Sequence, residues 1–212
     1  MPSSNLIVLD ADGVLIDYHA GYAQAWLRAF GEPVVVRDPE GHHPMHYWDV
    51  PHLSEAGQAH LQQHGFTEEA WSTMPALPGA VEACQQLQKM GFRLVCVTAL
   101  SPRWHAARSA NLTALGFAMD EVFAVGHSSD TAQPGTPRPV GNPKLEVLTR
   151  LAPSLFVDDH LPYFQGLPAG IWRALIDVRP NGSANNDPQL EGPHSRHASL
   201  ADFAAWCKRR YV

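Results

Sequence analysis

The chain has 212 residues, 17% of them charged, and a formal net charge of −6 at pH 7. This length suits one α/β domain with a sizeable core and room for an inserted subdomain. The negative charge disfavours nonspecific binding to nucleic acid or to anionic membranes, and no apolar run approaches the length of a membrane span. We therefore expect a soluble globular protein with neither nucleic acid nor membrane as a partner.

The chain start and the cysteines bear on location. Residues 1–5 carry no basic segment and no long apolar region, so we expect no signal peptide. Cys84, Cys96 and Cys207 are odd in number and scattered along the chain. This pattern is typical of reduced thiols, and it predicts a cytoplasmic protein without a catalytic cysteine.

The first element is the apolar run Leu6–Leu9, which is typical of a buried parallel strand. Asp10 and Asp12 follow it, and Gly13 comes where the chain must turn sharply. The chain curls past the carboxyl end of a strand, so both carboxylates can face one crevice. An isolated Asp-Gly is more often only a turn, but two carboxylates after a full strand favour a site for a divalent metal and a phosphate.

The residues after this acidic turn differ in composition from the first strand. Apolar residues at helical spacing predict a helix over Tyr18–Phe30, and Asp17 stands where it can cap that helix. The stretch Pro33–Pro51 is rich in proline, histidine and aromatic residues, and further helical patterns follow near residues 54–64 and 67–74. We interpret these patterns as an inserted subdomain of helices and loops.

The return to the core is marked by Leu77-Pro78-Gly79, because proline and glycine punctuate the entrance to a helix. We therefore assign residues 18–76 to a helical cap subdomain. Residues 1–17 and 77–212 then form one core domain.

Strand and helix patterns alternate after this point. The segment Ser128–Asn142 is a loop by composition, and Pro180–His197 is a polar segment that we expect to be mobile. The alternation favours an α/β fold with a doubly wound parallel sheet. The predicted strands are Phe92–Val97, Val122–Val125, Leu155–Val157 and Trp172–Val178, and the predicted helices are Ala80–Met90, Arg103–Leu115, Lys144–Leu151 and Ser199–Arg209.

Chemically active side chains recur where the predicted strands end. Thr98 follows the second strand, Asp158 and Asp159 follow the fourth, and Lys144 begins the helix just before the fourth. In a doubly wound sheet these ends border one crevice. The carboxylates there need a cation, and oxygen ligands without cysteine are what Mg²⁺ prefers. Lys144 and the Thr98 hydroxyl would hold the remaining oxygens of a bound phosphate.

Four motifs in register with the strands carry a specific resemblance. Asp10-Ala11-Asp12-Gly13, Thr98, Lys144 and Asp158-Asp159 resemble, in this order, the motifs of the haloacid dehalogenase-like hydrolase superfamily. The resemblance covers the core, and residues 18–76 stand where that family inserts a helical cap. It implies a Rossmann-like core and a hydrolase.

The resemblance also implies roles for the aspartates. Asp10 would be the nucleophile that forms an aspartyl-phosphate and would bind Mg²⁺ through its other oxygen. Asp12 would be the general acid and then the general base, and its backbone carbonyl would be a metal ligand. Asp158 and Asp159 would complete the metal site, Asp158 being the favoured direct ligand although their order stays open. In this family an aspartate at the position of Asp12 marks phosphatases and phosphomutases, which argues against dehalogenation.

The sequence thus predicts a Mg²⁺-dependent phosphatase that hydrolyses a small phosphomonoester. The open alternatives are a phosphomutase with the same residues, a nucleotidase, and a non-catalytic binding protein on this fold. The last is disfavoured because no motif position is lost. The sequence does not indicate an oligomeric state.

Candidate substrate contacts lie in the insertion, where an aromatic lid could cover the leaving group. They are Tyr18, His19, Tyr47 and Trp48. An equally open alternative is that Tyr47 and Trp48 only fill the core of the cap.

Histidines are frequent in the same stretch. His42, His43 and His46 have a spacing that could bind a transition metal, but no cysteine and no clear scaffold accompany them. We interpret them instead as cap-surface residues or substrate contacts. His160 follows the second aspartate pair, and it either supports that pair or is only a loop residue.

Overall fold

A computed structural model of the chain describes residues 5–126 and 141–211. The predicted loop over Ser128–Asn142 therefore lies outside the described residues, apart from Gly141 and Asn142. Within this part of the chain, a six-stranded sheet in the order β3-β2-β1-β4-β5-β6 forms the centre of the fold. All of its strand pairs are parallel. The strands are β1 (Leu6–Leu9), β2 (Arg93–Thr98), β3 (Glu121–Ala124), β4 (Leu155–Asp158), β5 (Trp172–Ile176) and β6 (Ser195–His197).

The central strand is buried on both faces because each face is covered by helices. Side chains alternate along a strand, so Ile7 and Leu9 enter one core cluster while Leu6 and Val8 enter the other. The helices are α1 (Tyr18–Phe30), α2 (Pro44–Tyr47), α3 (Glu55–His60), α4 (Glu68–Ser72), α5 (Ala80–Lys89), α6 (His105–Ala114), α7 (Leu145–Leu151) and α8 (Leu200–Tyr211). The predicted doubly wound α/β fold is confirmed.

Helix α1 has the predicted bounds, and it begins close to the acidic turn after β1. Asp17 caps it, since its Oδ1 accepts a hydrogen bond of 3.1 Å from the backbone N–H of Ala20. The first turn of the helix therefore places Tyr18 and His19 beside the carboxyl edge of the sheet.

Helices α1 to α4 lie between β1 and α5 in the chain, as expected for an insertion. A π-helical turn over Leu61–Gly65 follows α3. Aromatic residues of this stretch, such as Trp26 and Phe66, belong to the same core cluster as Ile7 of the sheet. The assignment of residues 18–76 as a separate cap subdomain stays a prediction.

The polar segment after β5 contains elements that the sequence did not predict. The sequence indicated a polar, mobile segment over Pro180–His197, and this segment contains a 3₁₀ turn at Ala184–Asn186 and the edge strand β6. Its mobility stays a prediction. Strand β6 has only three residues, all polar, and within the described part of the chain it pairs only with β5. So short a strand carries no hydrophobic period that a sequence pattern could reveal.

Two further predictions concern the environment of the chain. The cysteines are buried and form no disulfide, in line with reduced thiols. In the part of the chain that the structure describes, no helix has both the length and the apolar composition of a membrane span. The cytoplasmic location stays a prediction.

Candidate active site

The site begins at the turn that follows β1. The backbone N–H of Asp10 donates to the carbonyl of Val157 at 2.9 Å, which ties the ends of β1 and β4 together. Gly13 has φ +83°, a left-handed conformation that favours glycine. A Cβ at this position would lie 2.0 Å from Oδ2 of Asp159. Glycine is therefore required both by the turn and by the close approach of the second aspartate pair.

Lys144 joins the two acidic strand ends. Its Nζ lies 2.7 Å from Oδ1 of Asp10 and 2.6 Å from Oδ2 of Asp158, and its side chain is fully buried. The side chain of Asn142 accepts a hydrogen bond of 2.9 Å from the Lys144 backbone N–H and so fixes the start of α7. Burial alone would lower the pKa of Lys144, but the two carboxylates outweigh it and raise the pKa above its usual value. The lysine is thus a buried cation between two carboxylates.

The second aspartate pair completes an acidic cluster. Asp10, Asp158 and Asp159 each offer an oxygen, and these atoms lie within 4.8 Å of one another. Burial is the main cause that raises the pKa of Asp158, with Asp10 adding to it against Lys144. Burial also raises the pKa of Asp159, and Asp158 and Asp10 raise it further.

This cluster fits a hard divalent cation. It offers oxygen atoms from three close carboxylates, and the buried lysine beside them forms ion pairs with only Asp10 and Asp158. Burial and the neighbouring carboxylates both disfavour the ionised forms of Asp158 and Asp159 and raise their pKa, so a further positive charge would stabilise these forms. A divalent cation would supply that charge.

Asp12 has a different partner from its neighbours. Its side chain is 26% exposed, and its Oδ1 accepts a hydrogen bond of 2.7 Å from Nη2 of Arg108, which is fully buried. Burial raises the pKa of Asp12, and the Arg108 guanidinium opposes that shift. Asp12 is therefore a partly accessible carboxyl held by a fixed cation.

A cavity of about 430 Å³ lies over these residues. Asp10, Asp12, Thr98 and Asp159 line it, and so does Trp71 from the insertion. The hydroxyl oxygen of Thr98 accepts from the backbone N–H of Leu100 at 3.2 Å, which fixes its orientation at the end of β2. The strand ends thus supply polar groups to a chamber whose other wall comes from the helices.

The structure separates the four predicted substrate contacts into two pairs. Tyr18 and His19 line the cavity, whereas Tyr47 and Trp48 are not among its lining residues. The Trp48 indole donates to the carbonyl of His19 at 3.0 Å, and the rings of Tyr47 and His19 are 4.7 Å apart. Tyr47 and Trp48 therefore contact His19, which lines the cavity, without lining it themselves. Their role as substrate contacts stays a prediction.

The histidine-rich stretch also reaches the cavity. His42 and His43 line it together with His160, and the rings of His42 and His160 stack at 5.9 Å. Burial lowers the pKa of His42 to about 4, with His43 adding to the effect. His42 is consequently neutral at pH 7.

Sequence reasoning missed three residues that shape the site. Trp71 lines the cavity and stacks on Tyr18 at 6.2 Å. Asn185 is buried and donates from Nδ2 to the carbonyl of Asp159 at 2.8 Å. The third is Arg108, and a signal for it existed, because it lies on the same stripe of α6 as the buried Ala107 and Leu112. Asn185 had no such signal, because it lies in a polar segment without an apolar pattern.

Comparisons with known proteins bear on the identity of this site. Residues 5–162 match the family model described as haloacid dehalogenase-like hydrolase. A curated relative from Bordetella bronchiseptica, named "Putative 5'(3')-deoxyribonucleotidase", is 33% identical over 89 residues, which are 41% of this chain and 45% of the relative. The chain spans about half the length of the curated relatives it matches.

Solved structures share the fold at low identity. A HAD family hydrolase from Deinococcus radiodurans with bound phosphate and sodium aligns with a TM-score of 0.62 and 16% identity, covering 100% of this chain and 99% of its own. The D,D-heptose 1.7-bisphosphate phosphatase from B. bronchiseptica, complexed with magnesium and phosphate, gives 0.55 and 17%, covering 99% of each chain. Solved L-2-haloacid dehalogenases are similar to a comparable degree.

The family match covers most of the chain, including both acidic strand ends and the lysine between them. It agrees with the resemblance carried by the four motifs and with the parallel sheet that brings them together. The chain belongs to the haloacid dehalogenase-like hydrolase family.

Proposed function

We propose that this protein is a Mg²⁺-dependent phosphatase that transfers the phosphoryl group of a small phosphomonoester to Asp10 and then to water. One observation carries the proposal: two carboxylates with different partners face one cavity. Asp10 lies 2.7 Å from the Lys144 ammonium, and Asp12 lies 2.7 Å from the Arg108 guanidinium. Phosphoryl transfer through an enzyme carboxylate needs such a pair, because one group attacks while the other moves a proton.

The metal would be held at the acidic cluster. Asp10, Asp158 and Asp159 would be ligands together with the backbone carbonyl of Asp12, and the residues present fit the group. A bound Mg²⁺ would neutralise charge on the phosphoryl oxygens. The similarity to a phosphatase complexed with magnesium supports this choice of ion.

The remaining chemistry belongs to side chains of this protein. A carboxylate oxygen of Asp10 attacks the phosphorus and the bond to the leaving oxygen breaks, while Asp12 donates a proton to that oxygen. Asp12 then takes a proton from a water molecule, whose oxygen attacks the phosphorus and releases phosphate and Asp10. Lys144 and the Thr98 hydroxyl stabilise charge on the phosphoryl oxygens throughout.

Nucleoside monophosphates are the first substrates to test. The similarity to a protein named as a deoxyribonucleotidase supports them, although it covers only 41% of this chain. The cavity also presents the rings of Tyr18, Trp71 and Trp104, which suit a planar group. Sugar phosphates remain the alternative class, either as phosphatase substrates or as substrates of a phosphomutase.

The test measures free phosphate released from deoxynucleoside monophosphates and sugar phosphates, with Mg²⁺ and with a chelator. We expect release that requires Mg²⁺ and is lost in Asp10→Asn. Asp120→Asn is a matched control, because this aspartate does not line the cavity and forms a surface pair with Arg93. Release that survives Asp10→Asn would refute the mechanism.

Two other outcomes would identify the alternatives. Isomerisation of a sugar phosphate with little free phosphate would indicate a phosphomutase. Binding of phosphomonoesters with Mg²⁺ present but without turnover would indicate a binding protein on a hydrolase fold.

A further inference from the structure

Arg108 is a buried cation that the strand-end motifs do not account for. It lies on α6 with no exposed surface, and Nη2 contacts Oδ1 of Asp12 at 2.7 Å. Taking a guanidinium out of water is costly unless a carboxylate and further hydrogen bonds compensate it. Its position is therefore linked to Asp12.

A network joins this contact to the helical insertion. Nη1 of Arg108 donates to Oδ1 of Asn111 at 3.2 Å. The side chain of Asn111 in turn donates to the carbonyls of Ser72 and Met74, at 3.2 and 2.9 Å. The Arg108 guanidinium also lies 5.5 Å from the centre of the Trp71 ring, which lines the cavity. One turn of α6 thus holds both Asp12 and the end of the insertion.

We propose that Arg108 is the positioning residue for Asp12 and holds it in the orientation that delivers a proton to the leaving group. This inference rests on the proposed phosphatase function. The guanidinium occupies Oδ1, and an oxygen that accepts from a cation does not hold the transferable proton. The proton is then carried by Oδ2. Arg108 contacts neither the phosphoryl group nor the leaving group in this scheme.

The consequence is selective for the leaving group. A weakly basic aryloxide departs without a proton, whereas a strongly basic alkoxide needs one as the bond breaks. Loss of Arg108 should therefore slow transfer from alkyl phosphates much more than from activated aryl phosphates. A purely structural role would slow both equally.

The experiment compares 4-nitrophenyl phosphate with 4-nitrobenzyl phosphate, which differ by one methylene and have aryloxide and alkoxide leaving groups. The ratio of their kcat/KM values is measured in the wild type, Arg108→Met, Arg108→Lys and Asp12→Asn. General acid catalysis contributes about 10²–10⁴-fold, so we expect Arg108→Met to lose at least about 10-fold more on the benzyl ester. The ratio does not depend on the fraction of folded enzyme, and Arg108→Lys keeps the buried charge if Arg108→Met folds poorly.

Two controls make the result specific. Arg93→Met removes an exposed arginine–aspartate pair of 2.6 Å outside the site and should leave the ratio unchanged. In an Asp12→Asn background, Arg108→Met should change the ratio no further, since both substitutions remove the same proton transfer.

Equal losses on both esters in Arg108→Met and Arg108→Lys would overturn the positioning role. So would a selective loss in Asp12→Asn that the Arg108 variants do not share. If the wild type with Mg²⁺ hydrolyses neither these esters nor any phosphomonoester of the panel above, the proposed function itself fails, and this inference fails with it.

Discussion

The two acidic strand ends resemble each other in sequence but differ in their partners. One aspartate of each strand end forms an ion pair with Lys144, Asp10 at 2.7 Å and Asp158 at 2.6 Å. The second aspartates diverge. Asp12 is held by Arg108 at 2.7 Å, whereas no lysine or arginine among residues 5–126 and 141–211 forms an ion pair with Asp159.

This difference suits the two strand ends to different chemical roles. A carboxylate that is bound to a guanidinium is oriented and suited to proton transfer. Asp159 is a partly buried carboxylate without a basic partner, and such a group is suited to a metal ion that would balance its charge. We infer that the β1 end carries the acid–base group. The β4 end then carries the excess negative charge that would bind the cation.

Lys144→Met should have the largest effect, because it removes the group that the two ends share. Two buried carboxylates would lose their cation, and breaking a buried ion pair from one side typically costs about 3–5 kcal/mol. We expect a loss of that order in the free energy of unfolding, measured by urea denaturation, together with loss of phosphatase activity. Lys208→Met, at an exposed lysine of α8, is the control. A change below about 0.5 kcal/mol would mean that the lysine does not join the two ends.

The stabilisation by Mg²⁺ should depend differently on the side chains at the two strand ends. A ligand present at 100 times its Kd stabilises the folded state by about 2.7 kcal/mol, so MgCl₂ should raise the Tm over that in a chelator. We expect Asp159→Asn to weaken this shift strongly and Asp12→Asn to preserve most of it, because the latter keeps its backbone carbonyl. Equal losses of the shift in both variants would contradict the proposed difference in roles.

Asn185→Ala should affect the β4 end alone. Besides its bond to the Asp159 carbonyl, the Asn185 side chain accepts from the backbone N–H of Leu161 at 2.9 Å. Leaving these buried groups unsatisfied costs about 1–3 kcal/mol. We expect a loss of that size in unfolding free energy and a weaker Mg²⁺ response, while the exposed neighbour Asn186→Ala should behave like the wild type. An unchanged Mg²⁺ response would show that Asn185 does not position the turn that carries Asp159.

The smallest expected effect concerns His19, which lines the cavity and should be uncharged at neutral pH. Burial lowers the pKa of His19 from 6.5 to about 4, with Arg179 adding to it. The unfolded chain then binds a proton at higher pH than the folded protein does, so the free energy of unfolding should fall as the pH drops from 6.5 towards 4. Denaturation at pH 7.5 and pH 5 should show a smaller decrease in His19→Gln than in the wild type. His64→Gln, at an exposed position of the same insertion, should keep the wild-type decrease.

The predictable part of the fold is the part with strong local patterns. The runs Leu6–Leu9 and Leu155–Val157 are continuous apolar strands, so their positions and the carboxylates after them followed from the sequence. The amphipathic stretch Tyr18–Phe30 was predicted with the bounds observed. The strand β6 was missed, because three polar edge residues have no period to detect.

The predictable part of the site follows the same rule. Asp10, Asp12, Thr98, Lys144, Asp158 and Asp159 stand at strand ends or at a helix start, where a parallel sheet brings side chains to one edge. The partners of these residues come from elsewhere. Arg108 is 96 residues away from Asp12, and Asn185 is 26 residues away from Asp159.

The sequence by itself determined the first five strands of the sheet, the acidic strand ends and the lysine between them, because those depend on hydrophobic period and on position along a strand. Only the tertiary structure decided which aspartate meets a cation and which aromatic residues face the cavity. These contacts join residues far apart in the chain, and their free energy depends on burial and on distances below 3 Å, which no local pattern encodes. The two aspartate pairs therefore look alike in the sequence and acquire different roles only in the fold.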